Sequence, residues 1–311
     1  MFSLTAFFLT SCAALSAAAM PFSQLTKFLP SDVAHVGLDE DRREFVAYRR
    51  DGSLYGRFPV DDSANNSFTK RDPTCGDLSV EQAEGMPGWG AITKYADDKW
   101  GTRSRNIVTN PDGYLNRPAQ VCVTDEVIEL SFSADPVCQT HTTTTQGELV
   151  GTSGTVAIGV EQGFNTDTSY TVTQASTLGM DTTLEISVGI PEVADVTASM
   201  TISTSVTNEL SSTFDVSYND VSTVTLTMNA EEGKKCSAIV ESKTCNMQAK
   251  GQIRYLATGW IWFNYEDRTE GHYKWAAHID SILSKDDRST FAEFRGAMSS
   301  DTKTAYKGTC A

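Results

Sequence analysis

Between positions 170 and 218 apolar and polar side chains alternate almost without a break. Even positions carry Tyr170, Val172, Leu178, Met180, Leu184, Ile186, Val188 and Ile190, while odd ones carry Thr171, Thr173, Thr177, Asp181, Thr183, Glu185 and Ser187. Beyond Pro191, Glu192 and Val193 the even positions are again apolar: Val196, Ala198, Met200, Ile202, Val206, Leu210, Phe214, Val216 and Tyr218. Successive side chains on a strand point to opposite faces, so the pattern predicts two long strands, each with one apolar and one polar face. A helix would wrap a period of two around its whole circumference, and the Thr, Val, Ile and Ser content disfavours it further. Pro191 has no amide hydrogen for a central ladder, so it marks the turn of a hairpin, with Ile190, Pro191, Glu192 and Val193 at the tip. Gln174, Ser176, Thr204, Asn208 and Ser212 interrupt the apolar face, all far from that tip in sequence.

Ordinary strands seldom exceed about ten residues, and each arm here runs to roughly twice that. A strand that spans a membrane needs about ten residues of apolar-out, polar-in alternation. The polar face is Ser, Thr, Asp and Glu, without the Lys that usually guards an exposed sheet edge. Two readings stand: a long hairpin packed in a soluble β-sandwich, or one able to cross a bilayer.

The chain around the hairpin predicts secretion. Residues 1–19 read as a signal peptide, with an apolar run over 2–15 and small residues at 17–19. Residues 20–71 read as a propeptide ending at Lys70-Arg71, a dibasic site just before the first cysteine of the mature chain. Within it, 44–58 reads as a small hairpin around Asp51-Gly52. Residues 72–120 are irregular, with helix starts at 79–84 and 93–100. Residues 121–264 form the β-rich body, and 265–311 a C-terminal part expected to pack with the N-terminal part. In that last part 275–283 reads as strand or short helix, 289–296 as a short helix and 302–308 as a strand. Six cysteines follow the dibasic site: Cys75, Cys122, Cys138, Cys236, Cys245 and Cys310. An even count in a secreted chain implies disulfides, and six allow 15 connectivities. The pairing expected is Cys75 with Cys310, tying the mature termini, and Cys122 with Cys138 and Cys236 with Cys245, stapling local strand pairs.

Charge narrows the partners. The net charge is −15, the first 71 residues are balanced, and no Lys or Arg occurs between 118 and 233. Nucleic acid and simple docking to anionic lipid are therefore disfavoured. No zinc pattern, Gly-x-Ser-x-Gly elbow or His-Glu-x-x-His motif occurs, and His141, His272 and His278 have no evident catalytic companions. The expectation is a non-enzyme without cofactor. Trp260 and Trp262 share a strand face and read as core. Trp275, Tyr273 and Arg268 read as a receptor contact, because aromatic rings near a loop can stack on sugars or sit at a bilayer interface.

The Ser/Thr-rich amphipathic hairpin, carried within 151–240, resembles the insertion tongue of aerolysin-like β-pore-forming proteins, the aerolysin, ε-toxin and Mtx2 superfamily. The layout of signal, propeptide and core also resembles a group of fungal secreted proteins. The resemblance implies a mainly β fold with long antiparallel strands, an insertion hairpin at 170–218 and a small α/β cap at one end. It implies a soluble protomer that tucks the apolar face of the hairpin against its own body, then a homo-oligomer on a target membrane. Val172, Leu178, Met180, Leu184, Ile186, Val188, Ile190, Val196, Ala198, Met200, Ile202, Val206 and Leu210 would then face lipid. Asp181, Glu185, Asp195, Glu209 and Asp215 would line the lumen and favour cations. A glycan or protein receptor is compatible with either reading. The alternative function is a secreted β-rich binding module or effector that forms no pore.

Overall fold

The computed structural model describes residues 29–60, 75–109, 119–148, 153–180, 183–190 and 200–311. The signal peptide, Lys70, Arg71, Asp181, Pro191, Glu192, Val193, Asp195, Val196 and Ala198 lie outside the described residues. The strands in chain order are β1 (Val33–Asp39), β2 (Glu44–Arg49), β3 (Leu54–Pro59), β4 (Cys75–Asp77), β5 (Arg105–Val108), β6 (Gln120–Val123), β7 (Ile128–Glu129), β8 (Ser131–Phe132) and β9 (Val137–Glu148). They continue as β10 (Ser153–Gln174), β11 (Leu184–Ile190), β12 (Met200–Val206), β13 (Thr213–Glu231), β14 (Lys235–Thr258), β15 (Trp260–Thr269), β16 (His272–His278) and β17 (Ser289–Cys310). Three short helices complete the set: α1 (Val80–Glu84), α2 (Trp89–Trp100) and α3 (Ile279–Ile282). The fold is mainly β, as expected.

Period-two patterning builds the long strands. β14 alternates buried and exposed positions through Cys245, Met247, Ala249, Gly251, Ile253, Tyr255 and Ala257. It pairs antiparallel with β17 over almost its whole length, from Cys236 opposite Cys310 to Leu256 opposite Ser289. β10 pairs with β13 from Ser153 opposite Glu231 to Thr171 opposite Thr213. The main sheet runs β13-β10-β17-β14-β6-β4, with β8 and β9 pairing β14 off that path. Gly163 stands where β10 meets β17, opposite Lys303. Its φ of +136° and a virtual Cβ 1.9 Å from the Asp220 carbonyl oxygen admit only glycine there. Beyond this point Ile158 and Val160 of β10 pack on Cys236 and Ala238 of β14 in a separate small core.

A six-stranded sheet, β3-β2-β1-β16-β15-β5, forms the second body of strands. The segment expected as a propeptide supplies its first three strands, including the hairpin around Asp51-Gly52. β1 is central in that sheet, with Val33, Ala34 and Val36 fully buried. Trp260 and Trp262 are buried in a cluster shared with Val33, Val36, Phe45 and Ala47, in agreement with their expected core role.

Two expectations are corrected here. Residues 289–296 are strand, because Phe291 to Gly296 continue a ladder with β14 and β10 that no local signal announces. The cysteines pair as Cys75–Cys122, Cys138–Cys245 and Cys236–Cys310. Cys236 and Cys245 lie on one continuous strand, about 30 Å apart at ~3.3 Å per residue, and cannot reach each other. Cys122 and Cys75 sit opposite each other near Leu256 of β14, a long way from Cys138 and from Cys310. Every disulfide joins directly opposed residues of neighbouring strands. None of the three includes a residue of 29–60 or of 184–206.

The N-terminal strands are held by side chains. His35 of β1 lies in an aromatic cage: it stacks on Tyr48 and meets Tyr95, Trp100 and Trp275. Its Nδ1 lies 2.7 Å from the Tyr95 hydroxyl. Burial, with Lys99 nearby, pushes its pKa down from 6.5 to about 4. The folded state therefore favours neutral His35, and the stability this gives is intact above pH 6.5 and is lost as pH falls from 6.5 to 4. Between pH 7 and 4.5 this group should remove about 2 kcal/mol. In urea unfolding at the two pH values, His35→Gln should lose less stability than wild type by that margin, whereas an equal loss in both proteins would contradict it.

Candidate functional site

The expected hairpin is present but broken into two tiers. Its outer tier is β11 and β12, seven residues each, paired from Leu184 opposite Val206 to Ile190 opposite Met200. Its inner tier is the long β10–β13 ladder. Between them, 175–180 and 207–212 form a neck with no ladder among the described residues. The neck holds three of the five polar interruptions, Ser176, Asn208 and Ser212. The Asn208 amide accepts from the Ser176 backbone N–H at 2.8 Å and donates to the Ser176 carbonyl at 2.9 Å. Gly179 makes room for it, since a Cβ there would lie 1.3 Å from Asn208 Nδ2. The Gln82 side chain of α1 donates to the Gly179 carbonyl at 2.7 Å. Ser176 also bonds Thr290 of β17 through their hydroxyls.

The apolar face of the hairpin is turned inward. Val172, Leu178, Met180, Leu184, Ile186, Val188, Ile190 and Val206 are all buried, and all belong to the main core with Tyr255, Phe294 and Met298. Ile202 packs against the same core while half-buried, and Met200 is also half-buried. Glu185, Glu209 and Asp215 of the polar face are exposed. Leu210 departs from the pattern: it is 62% exposed beside Ser211, whose φ of +67° turns the chain. It therefore lies off the apolar face. Val172 belongs to β10, inside the main sheet, and not to the outer tier.

The outer tier is fastened to the body by little backbone. It joins β7 through two parallel residue pairs, Val188 with Ile128 and Gly189 with Glu129. Each β12 residue from Met200 to Val206 pairs only with β11 in the sheet order. Behind β7 lies a cavity of about 560 Å3, bounded by Ile128, Glu129, Lys250, Arg254, Glu293 and Arg295. The latch strand thus has open space on its inner side. Burial of the apolar side chains, at about 25 cal/mol per Å2, supplies most of what holds the tier down.

The expected receptor contact is corrected in part. Trp275 is 2% exposed, stacked on Trp100 at 5.2 Å, and its indole N–H donates to the Thr269 carbonyl at 3.0 Å. It is core, because β16 is a central strand of the six-stranded sheet. Arg268 and Tyr273 stay nearer the surface, with the guanidinium over the ring at 5.2 Å and paired with Asp41. His272 is buried against Trp275, and burial pushes its pKa down. Among the described residues no group of three or more His, Cys, Asp or Glu is arranged to hold a metal, and no helix is long and apolar enough to cross a membrane. The latter says nothing of strands.

No protein-family model and no curated protein matches the chain. Solved structures do align with it. The parasporin-2 toxin of Bacillus thuringiensis, described as recognising cancer cells, is 14% identical over 76% of this chain and 97% of that one, with a TM-score of 0.36. A non-toxic crystal protein from Bacillus thuringiensis is 11% identical over 76% and 97%, with a TM-score of 0.34. An aerolysin-like protein of Bombina maxima is 10% identical over 62% and 98%, with a TM-score of 0.22. At such identities and TM-scores the likeness carries no assignment, and the functional reading rests on the geometry of this chain.

The neck gives the site its own test. Asn208→Ala strips two bonds from a half-buried backbone, a loss of about 1–3 kcal/mol. Amide hydrogen exchange should speed up across 184–206 by roughly ten- to a hundredfold while 213–231 keeps its protection. Equal acceleration in both segments would contradict a local neck.

Proposed function

We propose that this protein is a secreted pore former that oligomerises on a membrane and commits the hairpin 170–218 to a transmembrane β-barrel. One observation carries the reading. An amphipathic hairpin buries most of its described apolar face on the body, yet among the described residues its outer tier shares only two ladder pairs with the body and carries no disulfide. A face that must be covered, on an element that is weakly tied, can exchange one apolar environment for another. Lipid accepts strands only when every backbone group is paired, so two strands per protomer must close into a barrel among several copies. The three disulfides hold the sheets that remain outside.

In such a barrel the even residues face lipid and the odd ones face water. Asp181, Glu185, Asp195, Glu209 and Asp215 then form rings of carboxylate without an opposing Lys or Arg, which favours cations. The membrane target, and whether a glycan or protein receptor is needed, belong to the same proposal. The secreted binding module remains the reading to adopt if no membrane is breached.

The N-terminal segment enters the proposal as a part docked on the body. Residues 29–60 pair with β16, through His35 to Leu38 opposite Ala277 to Lys274, rather than with the hairpin. A cut at Lys70-Arg71 would leave three strands, two of them with buried residues, docked without a covalent tie. Cut protein should therefore elute as one species in native size exclusion and as two pieces in denaturant; separate elution without denaturant would overturn this.

Leakage tests the reading itself. The double variant Ile128→Cys/Val188→Cys places a disulfide across the latch. Cut wild type should release dye from vesicles of whole-cell lipid extract, the oxidised double variant should not, and mild reduction should restore its release. In planar bilayers the pores should pass K+ in preference to Cl−. Release by the oxidised variant at the wild-type rate, or silence of wild type on every membrane tried, would contradict the proposal, and anion preference would contradict the lumen assignment.

A further inference from the structure

The two tiers of the hairpin are out of step with each other. β10 and β13 pair Thr171 with Thr213, and the backbone continues in that register as far as Val172, whose N–H donates to the Ser212 carbonyl at 2.9 Å. β11 and β12 resume with Leu184 opposite Val206. Between the last β10–β13 pair and the first β11–β12 pair one arm has twelve residues, 172–183, and the other has six, 207–212. The tiers therefore cannot straighten into one ladder as they stand. Either six residues stay looped out or one register gives way.

We infer that the outer hairpin shifts register by six residues when it extends, adopting the register of the β10–β13 ladder. This rests on the pore-forming reading. The shift is even, so even positions still face even positions. An odd shift would turn every apolar side chain to the other face. The body register pairs Leu178 with Val206, Leu184 with Met200, Ile186 with Ala198 and Val188 with Val196. It puts the turn on Pro191, Glu192 and Val193, where the proline meets no demand for a ladder hydrogen bond.

The polar residues argue for the same register. It sets Ser176 opposite Asn208, the two residues already bonded to each other in the neck. In the register of β11 and β12, Asn208 would instead face Thr182 and Ser176 would face Phe214. The polar pair thus closes the upper end of an apolar band, leaving 178–190 on one arm and 194–206 on the other. Thirteen residues on each arm exceed the 9–11 or so that a tilted membrane strand requires. The carboxylates are spread as well. Asp181 faces Ser203, Glu185 faces Ser199 and Asp195 faces Gly189, so no like charges stand directly opposed, an arrangement that would destabilise the ladder.

Paired cysteines on the polar face separate the registers. Ser187→Cys with Ser203→Cys is opposed in the docked register, whereas Ser187→Cys with Thr197→Cys is opposed in the extended one. Glu185→Cys with Ser205→Cys and Glu185→Cys with Ser199→Cys repeat the comparison one step along. Each variant is oxidised in solution and again on leaking vesicles, and the bridged peptides are identified by mass. The 187/203 and 185/205 bridges should form in solution and fall at least tenfold on leaking vesicles, with 187/197 and 185/199 rising to replace them. Leakage with the docked bridges retained and the extended ones absent would overturn the register change while leaving pore formation intact. Failure of every variant and of wild type to leak would overturn the pore-forming reading, and this inference with it.

Discussion

The structure depends on one unmet need: an apolar strand face must be covered. Leu184, Ile186, Val188 and Ile190 are placed side by side by the period of two, and water cannot be their neighbour. In the structure the main core covers them, together with Leu178, Met180 and Val206. Everything fastened rigidly lies elsewhere. The long β14–β17 and β10–β13 ladders form a scaffold of strands about 20 residues long, and cross-strand disulfides staple β14 to β17 and to β9. Against that scaffold the outer hairpin is held mainly by burial, a force without direction that a second apolar phase can supply equally well.

The same economy explains the neck. A continuous strand through 170–190 would have carried the apolar face straight out into water. The chain instead folds back at Ser176 and Asn208, where polar side chains on the otherwise apolar face satisfy the backbone that leaves the ladder. Those residues interrupt the apolar face and bend the chain back onto the body. The positive φ of Ser211 and the room left by Gly179 belong to the same bend.

Much of this was legible before any coordinates. Alternation revealed the hairpin, its inward face and the strand-rich body, because period two is a local property. The interruptions at 174, 176, 204, 208 and 212 were visible too, but the role of 176, 208 and 212 as a neck depends on contacts between residues 32 apart, such as Ser176 with Asn208. Disulfide pairing was not legible, since it follows from which strands become neighbours. Cys236 and Cys245 are close in sequence and far apart along a strand. Trp275 read as a surface aromatic because β1 arrives from 240 residues earlier to make its strand central. The strand nature of 289–310 likewise comes from two flanking ladders that its own residues do not announce.

The central claim is that the even face of the hairpin exchanges protein core for lipid while the odd face stays in water. An environment-sensitive fluorophore attached singly at each position from 201 to 206 measures that directly, because the six cysteines from Cys75 to Cys310 are bonded to one another. On leaking vesicles the account predicts a period of two, with probes at 202, 204 and 206 quenched by lipid-borne quenchers and those at 201, 203 and 205 quenched from water. Uniform exposure to water at all six positions, with leakage in progress, would contradict it.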